Sequence, residues 1–148
     1  MELFSNLALG FYTAGSPENL LFCLIGVLLG TLIGVLPGIG ATATIAMLLP
    51  ITFQLEPVSS LIMLAGIYYG AQYGGSTTAI LINMPGESSS AVTAIDGYQM
   101  ARKGRAGAAL SIAALGSFFA GTVSTFLVAI FALPLTAIAL QFGAAEYF

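Results

Sequence analysis

The chain has 148 residues, a net charge of −3 and a mean hydropathy of +1.01, with 58% hydrophobic and only 6% charged residues. An ordinary soluble domain carries about a quarter charged residues, so the nine charged side chains here cannot dress a surface of this size for water. Most of the chain is therefore solvated by lipid or by other apolar protein. With no His and a single cysteine, Cys23, the chain cannot build a Ser-His-Asp or Cys-His nucleophilic system, nor a Cys/His zinc site. A pI near 4.4 argues against nucleic-acid binding, which needs a basic footprint.

The charges divide the chain. Residues 19–55, 57–86 and 106–145 hold none, giving uncharged runs of 37, 30 and 40 residues. A spanning helix needs about 20 predominantly apolar residues. Residues 1–16 are weakly amphipathic and read as an interfacial N-terminus rather than a secretory signal, for they lack a basic leading region. A first span is expected over 19–36, preceded by the helix-start signal Ser16-Pro17-Glu18 and stopped by Pro37. Residues 41–55 are apolar but short, reaching only ~22 Å at 1.5 Å per residue, and Pro50 interrupts them; they read as a re-entrant half-helix. A second span is expected over 58–83, and a polar loop over 85–105. A third span covers 106–131, with Pro134 beyond it. The loop carries every basic residue, Arg102, Lys103 and Arg105, which assigns it, and with it the N-terminus, to the cytoplasm. The fold class is thus an all-α integral membrane protein, with about three transmembrane helices and a half-helix, broken at Pro-Gly motifs.

Four stretches carry the chemistry. Gly26, Gly30, Gly34 and Gly38 recur every fourth residue and form a smooth ridge for close helix packing, which could also slide. Pro37-Gly38-Ile39-Gly40, followed by Thr42 and Thr44, breaks the backbone inside an apolar region. Such breaks persist where they are buried in protein or line a watery cavity. Exposed amides, hydroxyls and the positive end of the next helix suit an anion or carboxylate; a plain tight turn is the competing reading. Gly38, Gly40 and Ala43 mimic a dinucleotide fingerprint, but no strand precedes them. Gly70 to Ser76 mimics a phosphate loop without its lysine.

The stretch from Tyr68 to Thr78 is read instead as a second helix break. Its uncharged polar groups either glue helices together or coordinate a cation. Asn83-Met84-Pro85-Gly86-Glu87-Ser88 then repeats the chemistry of the first Pro-Gly break, which suggests one site lined from two sides. Asp96 is expected to pair with one of the basic residues of its loop.

The strings GVLPGIGATATIAMLLPITF, IYYGAQYGGSTTAILINMPGESSSAVTAIDGYQMARKGRAGAAL and the closing FGAAEYF resemble the large membrane subunit of the tripartite tricarboxylate transporters, the TctA family. Gln99 departs from the proline usual in that family's D-G-Y-P-M string. The resemblance implies a multi-pass protein of the bacterial inner membrane and no enzyme. It implies a symporter of citrate or related carboxylates driven by Na⁺ or H⁺, with no cofactor and no other metal. Its partners would be a small membrane subunit and a periplasmic solute-binding protein. It also implies a longer chain built from two related halves, of which these residues form the N-terminal portion.

Residues and resemblance together give the expected site. Substrate carboxylates would meet Pro37, Gly38, Gly40, Thr42, Thr44, Pro85, Gly86 and Ser88, and a coupling cation would meet Gly74, Gly75, Ser76, Thr77 and Asn83. The alternative is a small membrane scaffold without transport activity that oligomerises through the glycine ridge.

Overall fold

The computed structural model describes residues 2–140, which puts the closing FGAAEYF string outside the described part. Every regular element among the described residues is helical: α1 (Glu2–Ala14), α2 (Pro17–Gly34), α3 (Gly40–Thr52), α4 (Pro57–Ile82), α5 (Ser90–Met100) and α6 (Ala106–Ala139). A π-helical turn, Ala101–Arg105, joins the last two, with Gly104 left-handed at φ +75°. The chain forms two compact units, residues 1–110 and 111–148.

In the first unit the organising contact is α2 against α4. Glycine has no Cβ, so its backbone can touch another backbone directly. Gly26, Gly30 and Gly34 of α2 press on Met63, Ile67 and Ala71 of α4, in that order. In return Gly66, Gly70 and Gly74 of α4 press on Cys23, Val27 and Thr31 of α2. A Cβ added at Gly66 or Gly74 would lie 2.7 or 2.6 Å from a carbonyl oxygen of α2. Both helices therefore contribute a ridge, and the matching order makes them parallel. Their N-terminal ends are pinned by the buried pair in which Ser59 Oγ donates to Asn19 Oδ1 at 2.7 Å.

This accounts for the continuity of α4. The glycines at 70, 74 and 75 read in sequence as a helix break; in the structure α4 runs unbroken through them, because the space a side chain would occupy holds the neighbouring backbone. The ridge of α2 is likewise consumed inside the chain at three of its four positions. Gly38, the fourth, lies past the end of α2 at φ +86° with open space around it.

Two parallel helices in sequence need a connection that returns to the starting end. α3 is that connection. At its far end Ser60 Oγ donates to the Thr52 carbonyl at 2.7 Å, tying it to the first turn of α4. At its near end Ala41 lies beside Glu87, close to the C-terminal end of α2. The 13 residues of α3 cover ~20 Å, matching the stretch of α2 they run back along. The expected re-entrant segment 41–55 thus joins opposite ends of the α2–α4 pair. Pro50 sits inside α3 and Pro134 inside α6 without ending either helix. Each removes a single backbone bond, a loss tolerated in apolar helical surroundings.

The expected polar loop 85–105 is largely helical, as α5 and the π turn. Ala94 and Gly97 bury one face of α5, and Gly97 packs on Ile80 of α4. Their small side chains give weak apolar periodicity, so the sequence there reads as loop. Asp96 is exposed and makes no ion pair among the described residues, and the basic cluster is exposed at the left-handed Gly104.

The second unit holds the remainder of α6, whose large apolar side chains, among them Leu115, Phe118, Phe119 and Phe126, are exposed. A helix that exposes large apolar side chains in this number is solvated by lipid or by further apolar protein. Among the described residues two helical stretches, Pro17–Gly34 and Ser90–Ala132, are long and apolar enough to cross a membrane; α4, the expected second span, is not one of them, its polar residues and glycines lowering its hydropathy.

Candidate functional site

The site begins where α4 ends. Asn83 takes a left-handed conformation at φ 59°, which reverses the chain. The segment that follows folds back along α4. Met84 N–H donates to the Thr78 carbonyl at 3.4 Å, Gly86 N–H to the Gly75 carbonyl at 3.5 Å, and Ser89 Oγ to Gln72 Oε1 at 3.3 Å. Each contact steps closer to the start of α4. Gly86 is buried where this strap meets both long helices: a Cβ there would lie 2.6 Å from Gly75 Cα and 3.1 Å from the Gly34 carbonyl. Only glycine fits that slot.

The strap delivers the N-terminal end of α5 to the level of Gln72, ten residues or ~15 Å short of the end of α4. Ser90 Oγ, donating to the Glu87 carbonyl at 2.8 Å and accepting from Glu87 N–H at 3.3 Å, shapes the turn that starts α5. α3 begins at the same level. Gly40, held at φ +66°, brings its backbone to within ordinary contact of Glu87 and Gly86; a Cβ on it would lie 3.6 Å from Glu87 Cβ and 3.9 Å from the Gly86 carbonyl. Ala41 N–H then donates to Glu87 Oε2 at 3.4 Å. Two helices of 13 and 11 residues thus present their N-terminal ends to one place. A helix N-terminal end carries about half a positive charge; here the first amides are engaged, Ala41 N–H by Glu87 Oε2, and Ser90 and Ala91 N–H by the Glu87 and Ser88 carbonyls at 3.1 and 3.3 Å.

The expected substrate residues divide on inspection. Gly40, Gly86, Ser88 and Thr42 belong to this convergence, with Thr42 and Ser88 exposed and Gly86 buried. Pro85 is half-buried in the strap, while Pro37 and Gly38 are exposed in the turn that leads into α3. Thr44 is buried and donates to its own helix, to the Gly40 carbonyl at 2.8 Å. Of the expected cation set, Gly75 touches Gly86, while Gly74 is filled by α2. Ser76 and Thr77 donate back to the carbonyls of Gln72 and Tyr73. Asn83 lies two helical turns, ~10 Å, from Ser76, so these five residues do not form one coordination shell.

Two residues outside the expected site set enter, Glu87 and Gln72. Glu87 is the acid at the centre of the convergence, and its second oxygen, Oε1, is buried with no hydrogen-bond partner among the described residues. Gln72 holds the strap through Ser89 while its own Nε2 donates to Tyr68 Oη at 3.1 Å. The signal for Glu87 was available: it is the first charge after the uncharged run 57–86, directly behind a Pro-Gly.

Apolar helices packed backbone to backbone through glycines, two helical stretches of which are long and apolar enough to cross a membrane, define a class: helical membrane proteins packed through small residues. The chain belongs to the tripartite tricarboxylate transporter TctA family, whose model matches residues 20–148. It is also 77% identical, over all 148 residues, to an uncharacterized 52.8 kDa protein of the TAR-I ttuC′ 3′ region of Agrobacterium vitis, and spans 30% of that relative's length. No solved structure gives a significant match. The family is a membrane component of tripartite transporters, a kind of assembly that works with partner subunits and a substrate.

Proposed function

We propose that these residues form part of the membrane subunit of a secondary transporter for citrate-like tricarboxylates or related carboxylates. The subunit acts in the bacterial inner membrane with a small membrane subunit and a periplasmic solute-binding protein. The observation that carries this reading is the convergence of the N-terminal ends of α3 and α5 at Gly40–Ala41 and Gly86–Ser88. Paired positive helix ends beside the α2–α4 pair suit an anion with several carboxylates, since each end can take one. Thr42 and Ser88, both exposed there, add hydroxyl donors. A gradient of Na⁺ or H⁺ drives uptake, with the carbonyl and hydroxyl oxygens around Gly75 and Ser76 as the cation's side of the site. The scaffold alternative loses its main support, because α4 already covers the glycine ridge.

The test is citrate uptake by the full-length protein with its partner subunits. Gly38→Val and Gly40→Val each place a β-branched residue at positive φ, which the backbone of such residues resists. The expected result is normal membrane insertion with uptake abolished. Uptake at the wild-type rate would overturn the site assignment.

A further inference from the structure

The cradle that the proposed function gives to a substrate carboxylate already holds a carboxylate, that of Glu87. Three features set this contact apart from an ordinary helix cap. It bridges 46 positions in sequence, from the strap to the first turn of α3. It is long: Ala41 N to Glu87 Oε2 is 3.4 Å, where charge-assisted bonds usually close to about 2.7–2.9 Å. And it satisfies only one oxygen, leaving Oε1 buried with no partner among the described residues. A carboxylate serving to lock structure would be expected to satisfy both, because a buried polar atom left unpaired is costly. Glu87 makes no ion pair among the described residues. Gly40 contributes through its backbone: its positive φ, +66°, turns the chain into α3 and sets Ala41 beside Glu87.

We infer that Glu87 is a built-in stand-in for the substrate carboxylate, occupying the N-terminal end of α3 in the substrate-free protein and displaced when a substrate carboxylate takes the Ala41 N–H. The inference rests on the carboxylate-binding reading above. It predicts that the side chain opposes binding. An arriving anion must break the Ala41 contact and overcome like-charge repulsion, so removing the charge removes both obstacles.

The experiment uses the full-length protein in detergent, with citrate as the probe. Glu87→Gln keeps the size and removes the charge; Glu87→Ala removes the acceptor. Calorimetric titration is expected to show both variants binding citrate more tightly than wild type, by roughly tenfold for the loss of one charged contact. In the absence of citrate, the Ala41 amide is expected to exchange hydrogen faster in Glu87→Ala than in wild type, with citrate restoring protection. Equal or weaker citrate binding by both variants overturns the inference, and so does unchanged exchange at Ala41. Wild-type protein that binds no citrate contradicts the proposed substrate class instead, while the exchange comparison without citrate still decides whether Glu87 holds Ala41.

Discussion

Gly30 of α2 and Ile67 of α4 meet backbone to backbone: a Cβ built on Gly30 would lie 2.8 Å from Ile67 Cα and closer still to its carbonyl oxygen. No rotamer change relieves such a contact, because main-chain atoms are on both sides. Gly30→Ala is therefore expected to push the helices apart. The cost is on the order of 1–3 kcal/mol or more, the range for overpacking a close-packed interface. Gly10→Ala is the matched control. It sits in α1 with nothing within 4 Å of the added Cβ, and should gain up to ~1 kcal/mol from helix propensity. Thermal unfolding in detergent should lower the midpoint for the first and hold or raise it for the second.

The Asn19–Ser59 pair is the polar counterpart at the other end of the same helices. Both residues are buried, and Asn19 Nδ2 also donates to the Thr13 carbonyl at 2.8 Å, which ties down the end of α1. Ser59→Ala leaves Asn19 Oδ1 buried and unpaired, at about 1–3 kcal/mol. In Asn19→Ala the same serine change should cost much less. A double-mutant cycle on unfolding free energies checks this, and additive effects would contradict the pairing.

The parallel order of α2 and α4 carries a topological prediction. Ala14 and Gln54, exposed just before each helix, should face the same side of the membrane, and Leu36, just past α2, the other. Single cysteines at these positions, in a Cys23→Ser full-length protein, should react accordingly with an impermeant maleimide applied from each side. Gln54 and Leu36 labelling from one common side would return residues 41–55 to the re-entrant path.

How much of this the sequence discloses depends on how far apart the interacting residues are. The ridge of Gly26, Gly30 and Gly34 is periodic and local, so it reads directly. Its partner ridge on α4 is just as periodic, yet Gly70, Gly74 and Gly75 among polar neighbours carry the signature of a break. Only the contact with α2 tells the two apart. The turn at Pro85-Gly86 is legible, but its direction is not: nothing local says that the strap folds back on α4 to set α5 beside Gln72. For the same reason α5 reads as loop, since its packing face is made of Ala94 and Gly97 rather than large apolar residues. Pro37-Gly38 and Pro85-Gly86 announce two turns of the backbone. That Ala41 N–H then meets Glu87 is a tertiary fact.

The account stands or falls on whether the converging ends of α3 and α5 bind carboxylate. Thr42 and Ser88 flank that convergence and are exposed, so a cysteine at either should react with a negatively charged methanethiosulfonate. In the full-length Cys23→Ser protein, citrate is predicted to slow modification at both positions in a concentration-dependent way, and to leave a cysteine at the distant Gln54 unaffected. Modification at Thr42 and Ser88 that proceeds at the same rate with saturating citrate, in protein shown to take citrate up, would place the substrate elsewhere and contradict the central claim.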